Sequence, residues 1–447
     1  MTTDATSPST QSSDRTAKPT SVVRWGVAVS TAKTLASAGP KASTTAAIGI
    51  VEDIREHARA AEQHVENITG LHVASSLKDS QVLVVDRPGW AAASVSGYRE
   101  MLGTPLDAAL LQRFPKGLPL TLKMGGYGVG AEVGSLVAFL ASHVLGQFDP
   151  YSTTGSAPAG RLLLVAPNIV ETERKLKVDP ADFRLWVALH EQTHRVQFAA
   201  APWLRDVLSE QVGILASGLV NRPKDKERKD SNLKARISAL GSAARADNPA
   251  SMPDDDGPAS ADTAPSSASA AKDGKESQAG LLTVITGEAE QAALSRITAI
   301  MSLLEGHANV VMDSVDRTVI PTVAKIRKRF DQRGASRSTL QKLLMKAIGM
   351  DAKQAQYRDG AKFVRTAVDA LGMEGFNVIW RSPEHLPTEE ELHAPETWVQ
   401  RMRETALVGA PVESAGAAES AEAAQADAAA EPGPAPSGTE EPTPEQG

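Results

Sequence analysis

The chain has 447 residues, is 41% hydrophobic, carries a net charge of −7 and contains no cysteine. The lack of thiols excludes disulfides, thiolate catalysis and Cys-ligated zinc. The last 39 residues hold eight acidic residues and no basic one, so the rest of the chain is close to neutral. It lacks the basic balance of a nucleic-acid-binding protein.

Three segments are too polar or too simple in composition to join a core. They are a Ser/Thr-rich tail at 1–20, a charged and Ser/Ala/Pro-rich insertion at 222–280, and an acidic tail at 409–447. All three are expected to be disordered, and the acidic tail is a candidate docking point for a protein partner. What remains suits one large domain or two intimate ones. It divides into a helical N-terminal part at 21–150, a middle part at 151–221 and a helical C-terminal part at 281–408. Met1–Thr20 has no apolar run of the secretory kind. The most apolar stretch, Val129–Gly146, is interrupted by Glu132 and His143 and reads as a buried helix rather than a membrane span. Together with the absent cysteine, this makes the cytoplasm the expected location.

In chain order, Thr44–Thr69 carries apolar residues at helical spacing (Ile50, Ile54, Ala58, Ala61, Val65), which predicts a surface helix with one buried stripe. Val82–Asp86 reads as a strand. A helix is predicted from about Trp90 to Leu102, and another over Leu106–Phe114. Gly125, Gly126, Gly128 and Gly130 predict a close-packed turn opening a helix over 131–146. Their spacing fits no phosphate-binding loop. Arg161–Ile169 reads as a strand ended by Pro167 and Asn168. The best-defined helix follows. Asp179 suits its N-cap, Pro180 its first position and Asp182 its first turn, and Pro202 stops it after about Ala200. Trp203–Val220 is the next helix. Beyond the insertion, helices are expected over 281–317, 322–332, 337–348, 351–371 and 395–405. Trp25, Trp90, Trp380 and Trp398 are expected as core or interface anchors.

The capped helix contains His190-Glu191-Gln192-Thr193-His194, an HExxH pattern. In a chain with nine His the expected number of chance matches is about 0.02. Positions i and i+4 share a helix face, so two imidazoles there can hold one Zn²⁺ per chain. Glu191 projects beside them as a candidate general base for a water activated by the metal. A third protein ligand is required. Within Thr298–Val315, Glu305 interrupts an apolar helix face (Ile300, Met301, Leu304), where an unpaired carboxylate is costly unless a metal pairs it. His307 lies about 200° further round the helix, so Glu305 is preferred and His307 stays open as the alternative. Asn309 shares the face of Glu305 and is a candidate to orient a ligand histidine. Glu288 and Glu290 read as charges at a helix start. Tyr357 and His307 are candidate donors to an oxyanion, with ordinary packing the plainer reading of Tyr357.

The run Arg161–Arg205, together with Leu303–Asp313, resembles an actinobacterial zincin-like metallopeptidase family whose members are described as candidate hydrolases or as associated with deazaflavin-coenzyme biosynthesis. Ser142–Tyr151, Gln356–Val364 and Leu386–Leu392 with Pro395 and Trp398 carry the same resemblance. It covers roughly 22–220 and 281–405. It implies a mainly α, zincin-like helical metallopeptidase fold with at most a small β element, and makes 151–221 its core. It also implies His190 and His194 as ligands, Glu191 as base and Glu305 as third ligand. Zincins with a downstream glutamate usually carry Asp where this chain has Asn309. The expected reaction is hydrolysis of an amide, most simply a peptide bond in a peptide or protein substrate. The alternative is a zinc-stabilised binding or scaffold protein with no turnover. For the 222–280 insertion, tolerated length is the preferred reading over a lid or a self-cleavage site.

Overall fold

The structure, a computed structural model, describes residues 21–152, 159–221, 287–332 and 358–409. Both tails, the insertion, the helix expected at 337–348 and Tyr357 lie outside the described residues.

The first layer forms where small residues let two helices touch. Helix α1 (Trp25–Leu35) lies along α6 (Leu120–Leu140). The glycines at 125–130 are not a turn but part of α6. Gly126, Gly130 and Gly134 recur at i, i+4 and i+8 on one face. A Cβ at these positions would stand 2.3 Å from Val22 O, 2.6 Å from Arg24 O and 2.5 Å from Ala28 O. Backbone contact with α1 offsets the helix-breaking tendency of glycine. The helix then ends at Leu140, earlier than expected, and Gly146–Asp149 is a strand.

Helix α2 (Thr44–Thr69) starts at Ser43, whose hydroxyl accepts from Ala46 N at 3.2 Å, and ends at Gly70 with φ 66°. Its stripe Ile54, Ala58, Ala61 and Val65 is buried as the spacing requires. A one-turn helix α3 (Ala74–Leu77) leads to strand β1 (Gln81–Val85). Asp86 then caps α4 (Arg87–Tyr98), accepting from Gly89 N at 2.7 Å. A π-helical turn at Arg99–Gly103 joins α4 to α5 (Thr104–Arg113).

Strands β1, β2 (Gly146–Asp149) and β3 (Arg161–Val165) form one sheet in the order β1-β3-β2. β3 runs parallel to β1, with Gln81 opposite Arg161 and Val85 opposite Val165. It runs antiparallel to β2, with Gly146 opposite Leu164. Leu162–Val165 are all fully buried. Their alternation splits the core. Leu163 and Val165 face Ala28, Trp90, Val95 and Leu140 of α1, α4 and α6, while Leu164 faces Ile54, Ala58 and Leu189 on the other side of the sheet. The expected strand does not continue to Ile169. Pro167 is tolerated in the first turn of a helix, and α7 (Ala166–Leu176) starts directly from β3.

Helix α8 (Pro180–Ala200) is capped as expected, Asp179 accepting from Asp182 N at 3.1 Å. It packs on α2, β2, β3 and α10 (Glu288–Ser314), and α10 also packs on α9 (Leu204–Val220). The remaining helices are α11 (Val323–Gln332), α12 (Arg358–Phe376, broken at Gly372 with φ 71°), α13 (Glu389–His393) and α14 (Pro395–Gly409). A compact unit runs to Val399. Trp90, Trp380 and Trp398 are buried in it as core anchors, and Trp25 is partly buried. The fold is thus mainly α around a three-stranded sheet. Among the described residues no helix is long and apolar enough to cross a membrane.

Gly134→Ala should lower the unfolding free energy by about 1–3 kcal/mol, because its methyl meets backbone that cannot yield. Gly49→Ala, in exposed α2 with nothing within 4 Å, should raise it by about 0.5–1 kcal/mol. Denaturant unfolding of the two variants beside wild type checks both signs.

Candidate metal centre

Two helices build the centre. On α8 the i, i+4 spacing sets the His190 and His194 rings 4.8 Å apart at 88°, with their Nε2 atoms 3.3 Å from each other. On α10, Glu305 lies opposite. Its Oε2 is 3.7 Å from His190 Nε2, and its Oε1 is 3.7 Å from His194 Nε2. Among the described residues these three are the group able to share a metal ion, and no fourth His, Asp or Glu joins them.

The far side of α8 is pinned to the core. Gln192, fully buried, donates to Ala58 O at 2.7 Å, and Thr193 bonds back to Leu189 O. Arg195 donates to Leu77 O at 2.6 Å, to Ser80 Oγ at 2.7 Å and to Glu62 at 2.9 Å. Opposite, α10 is held by α12 through a crossing without side chains. A Cβ on Gly306 would stand 2.3 Å from the Gly360 carbonyl carbon, and one on Gly360 2.1 Å from Ser302 O. This close approach fixes the turn that carries Glu305.

The outer ring nitrogens are occupied. His194 Nδ1 lies 2.9 Å from Gln197 Oε1, and His190 Nδ1 lies 3.3 Å from Met312 Sδ. A proton on each Nδ1 leaves the Nε2 lone pairs facing Glu305. Two ligands about 2.0–2.1 Å from one tetrahedral ion stand about 3.3–3.4 Å apart, which is the separation of the two Nε2 atoms. Two imidazoles and a carboxylate also form a donor set that suits zinc. The residues present therefore fit such an ion.

Glu191 is buried on the same helix, and Gly146 of β2 makes its place. A Cβ at 146 would lie 2.6 Å from Glu191 Cγ. Burial, and then the charge of Glu305, push the Glu191 carboxyl well above the usual 4.5. Burial also raises Glu305, against a smaller opposing effect of His194. His190 is pushed down to about 3 by burial and by His194, so its ring is neutral near pH 7.

Two expectations need correction. His307 does not enter the group. It is fully buried, its Nδ1 lies 3.0 Å from Gln197 Nε2, and its ring packs against Trp380 and Phe376 at 5.2 and 5.4 Å. Its position around the helix from Glu305 turns it away from the ion-binding face, which also removes it as an oxyanion donor. Asn309, partly buried, holds neither histidine, because both Nδ1 atoms have other partners. Sequence reasoning missed Gln197, Met312 and Gly146. Gln197 follows His194 by three and Met312 follows Glu305 by seven, so both positions carried a helical signal. Gly146 carried none, since its strand was read as helix.

Two histidines on α8 and a glutamate on the facing helix α10 thus form a group that could hold a metal ion, within a mainly helical fold. The sequence model of the zincin-like metallopeptidase family matches residues 23–399, and the chain belongs to that family. The crystal structure of a candidate hydrolase with a novel fold from Chloroflexus aurantiacus superposes with a TM-score of 0.53. It is 23% identical and is covered over 99% of its length and 85% of this chain, a likeness of fold. No curated protein matches the chain.

The raised Glu191 pKa has a sign that can be measured. A carboxyl whose folded pKa lies above its unfolded value contributes stability that is full below about pH 4.5 and is lost as pH rises through the folded value. In metal-free protein, Glu191→Gln should therefore be more stable than wild type at neutral pH, and the gain should shrink to nothing as pH falls toward 4.5. Denaturation midpoints across that range test it.

Proposed function

We propose that the protein is a zinc-dependent metallopeptidase. The observation that supports this most directly is the convergence of His190 Nε2 and His194 Nε2, 3.3 Å apart, on the two oxygens of Glu305. His190, His194 and Glu305 would hold the ion. When bound, zinc supplies Lewis acidity and lowers the pKa of water at its open position. The lack of a fourth protein ligand among the described residues favours an open, catalytic position over a closed, structural one.

Glu191 is the residue that moves the proton. Its carboxylate accepts the proton of the attacking water and returns it to the nitrogen of the leaving amine. Its burial raises its affinity for a proton, which suits a base. Gly146 holds the carboxylate in place by leaving room for it. The same strand, β2, is an edge of the sheet beside α8, where an extended peptide can add backbone hydrogen bonds. This favours a peptide as substrate over a smaller amide.

Elemental analysis should find about one zinc per chain in wild type, and Glu305→Ala should lose it. Glu191→Gln should keep the zinc and lose about 10²–10⁴-fold in kcat on a peptide library. Gly146→Ala should keep the zinc and lose about 10²-fold, because its methyl displaces Glu191. Full turnover by Glu191→Gln would refute the base assignment. One bound zinc with no peptide cleavage in wild type would move the protein to the non-catalytic reading.

A further inference from the structure

The two histidines are held in different ways, and His194 is held through a chain of side chains. Gln197 Nε2 lies 3.0 Å from Leu304 O and 3.0 Å from His307 Nδ1. A carbonyl oxygen only accepts, so the Gln197 group facing Leu304 is its NH2, and its Oε1 accepts from His194 Nδ1–H. The second NH2 hydrogen goes to His307 Nδ1, which therefore accepts. The proton of that ring then sits on Nε2, which is buried without a partner among the described residues. A phenyl ring would fill the space beside Phe376 and Trp380 without burying an unpaired N–H. Packing alone thus gives no reason for histidine at 307, whereas an acceptor for Gln197 does.

We infer that Gln197 and His307 are a positioning pair that fixes His194 in its Nδ1–H tautomer and so presents the Nε2 lone pair to the ion. The inference rests on the metal-centre reading above. Neither residue touches the ion or the substrate; both act through His194. The side chain of free histidine favours the opposite tautomer, with the proton on Nε2, which would turn a donor toward the ion. Leu304 and His307 flank Glu305 in sequence. One turn of α10 therefore supplies the carboxylate ligand and also locks the imidazole opposite it.

The test compares His307→Phe with His307→Asn. Phenylalanine keeps the ring and loses the acceptor. Asparagine loses the ring and keeps an acceptor oxygen close to the position of Nδ1. Zinc affinity is measured by chelator competition, and the His194 tautomer by ¹⁵N NMR in metal-free protein. His307→Phe should weaken zinc by about 10–100-fold and shift His194 toward Nε2–H, while His307→Asn stays close to wild type. Gln197→Met, of similar length and without polar atoms, should reproduce the loss if His307→Phe does not fold. Asparagine weakening zinc as much as phenylalanine, or phenylalanine leaving affinity and tautomer unchanged, would overturn the pair. A wild type that binds no zinc, yet shows an Nδ1–H His194 that His307→Phe abolishes, would sink the metal centre and leave the pair standing.

Discussion

A carboxylate, Glu305, sits between two imidazoles on the facing helix, and among the described residues no lysine or arginine forms an ion pair with it. Glu191 lies near enough to feel its charge. A buried acid and a partly buried one near two histidines form an arrangement that folding does not favour by itself, since burial penalises each charge. It persists because the helices that carry it are fixed elsewhere. Gln192 and Arg195 tie the back of α8 to α2 and to the segment before β1. Arg184 adds a bridge from α8 to Glu173 of α7 and Asp53 of α2, both at 2.7 Å. The polar front of the helix is held by its anchored rear.

Glycine sets the distances. At the crossing of Gly306 and Gly360 the backbones of α10 and α12 meet, which seats the turn bearing Glu305. At Gly146 the missing side chain gives Glu191 its space. On the other face of the sheet, the glycines of α6 let α1 lie close enough to help cover Leu163 and Val165. At the helix crossings an added methyl would meet backbone that cannot yield, whereas at Gly146 it would displace the Glu191 side chain.

The helix that bears His190 and His194 was legible because its signals are local. Asp179, Pro180 and the i, i+4 histidines need no knowledge of the rest of the chain. Glu305 was legible because a charge within an apolar stripe needs a partner. The glycines of α6 were misread because their role is a close approach to α1 and the residues just before it, about 105 positions away, which local composition describes equally well as a turn. Helix α7 was missed because Pro167 ends a strand and begins a helix with the same fixed φ. Asn309 was assigned to a ligand histidine on spacing alone. The contacts show that Gln197 and Met312 take those nitrogens, a choice made by how α10 lies across α8 and not by either sequence by itself.

The chain has no cysteine, and so no covalent cross-link of its own. The two halves of the metal centre are about 110 residues apart, from His194 to Glu305, with the whole 222–280 insertion between them. An ion held by both halves would close that loop as a disulfide does, and its affinity would enter the folding free energy directly. In such a chain a bound ion would act as a clasp between the two halves. Stripping such an ion would loosen the seam between α8 and α10 before it disturbed the sheet, and the length of chain between them makes the clasp matter more.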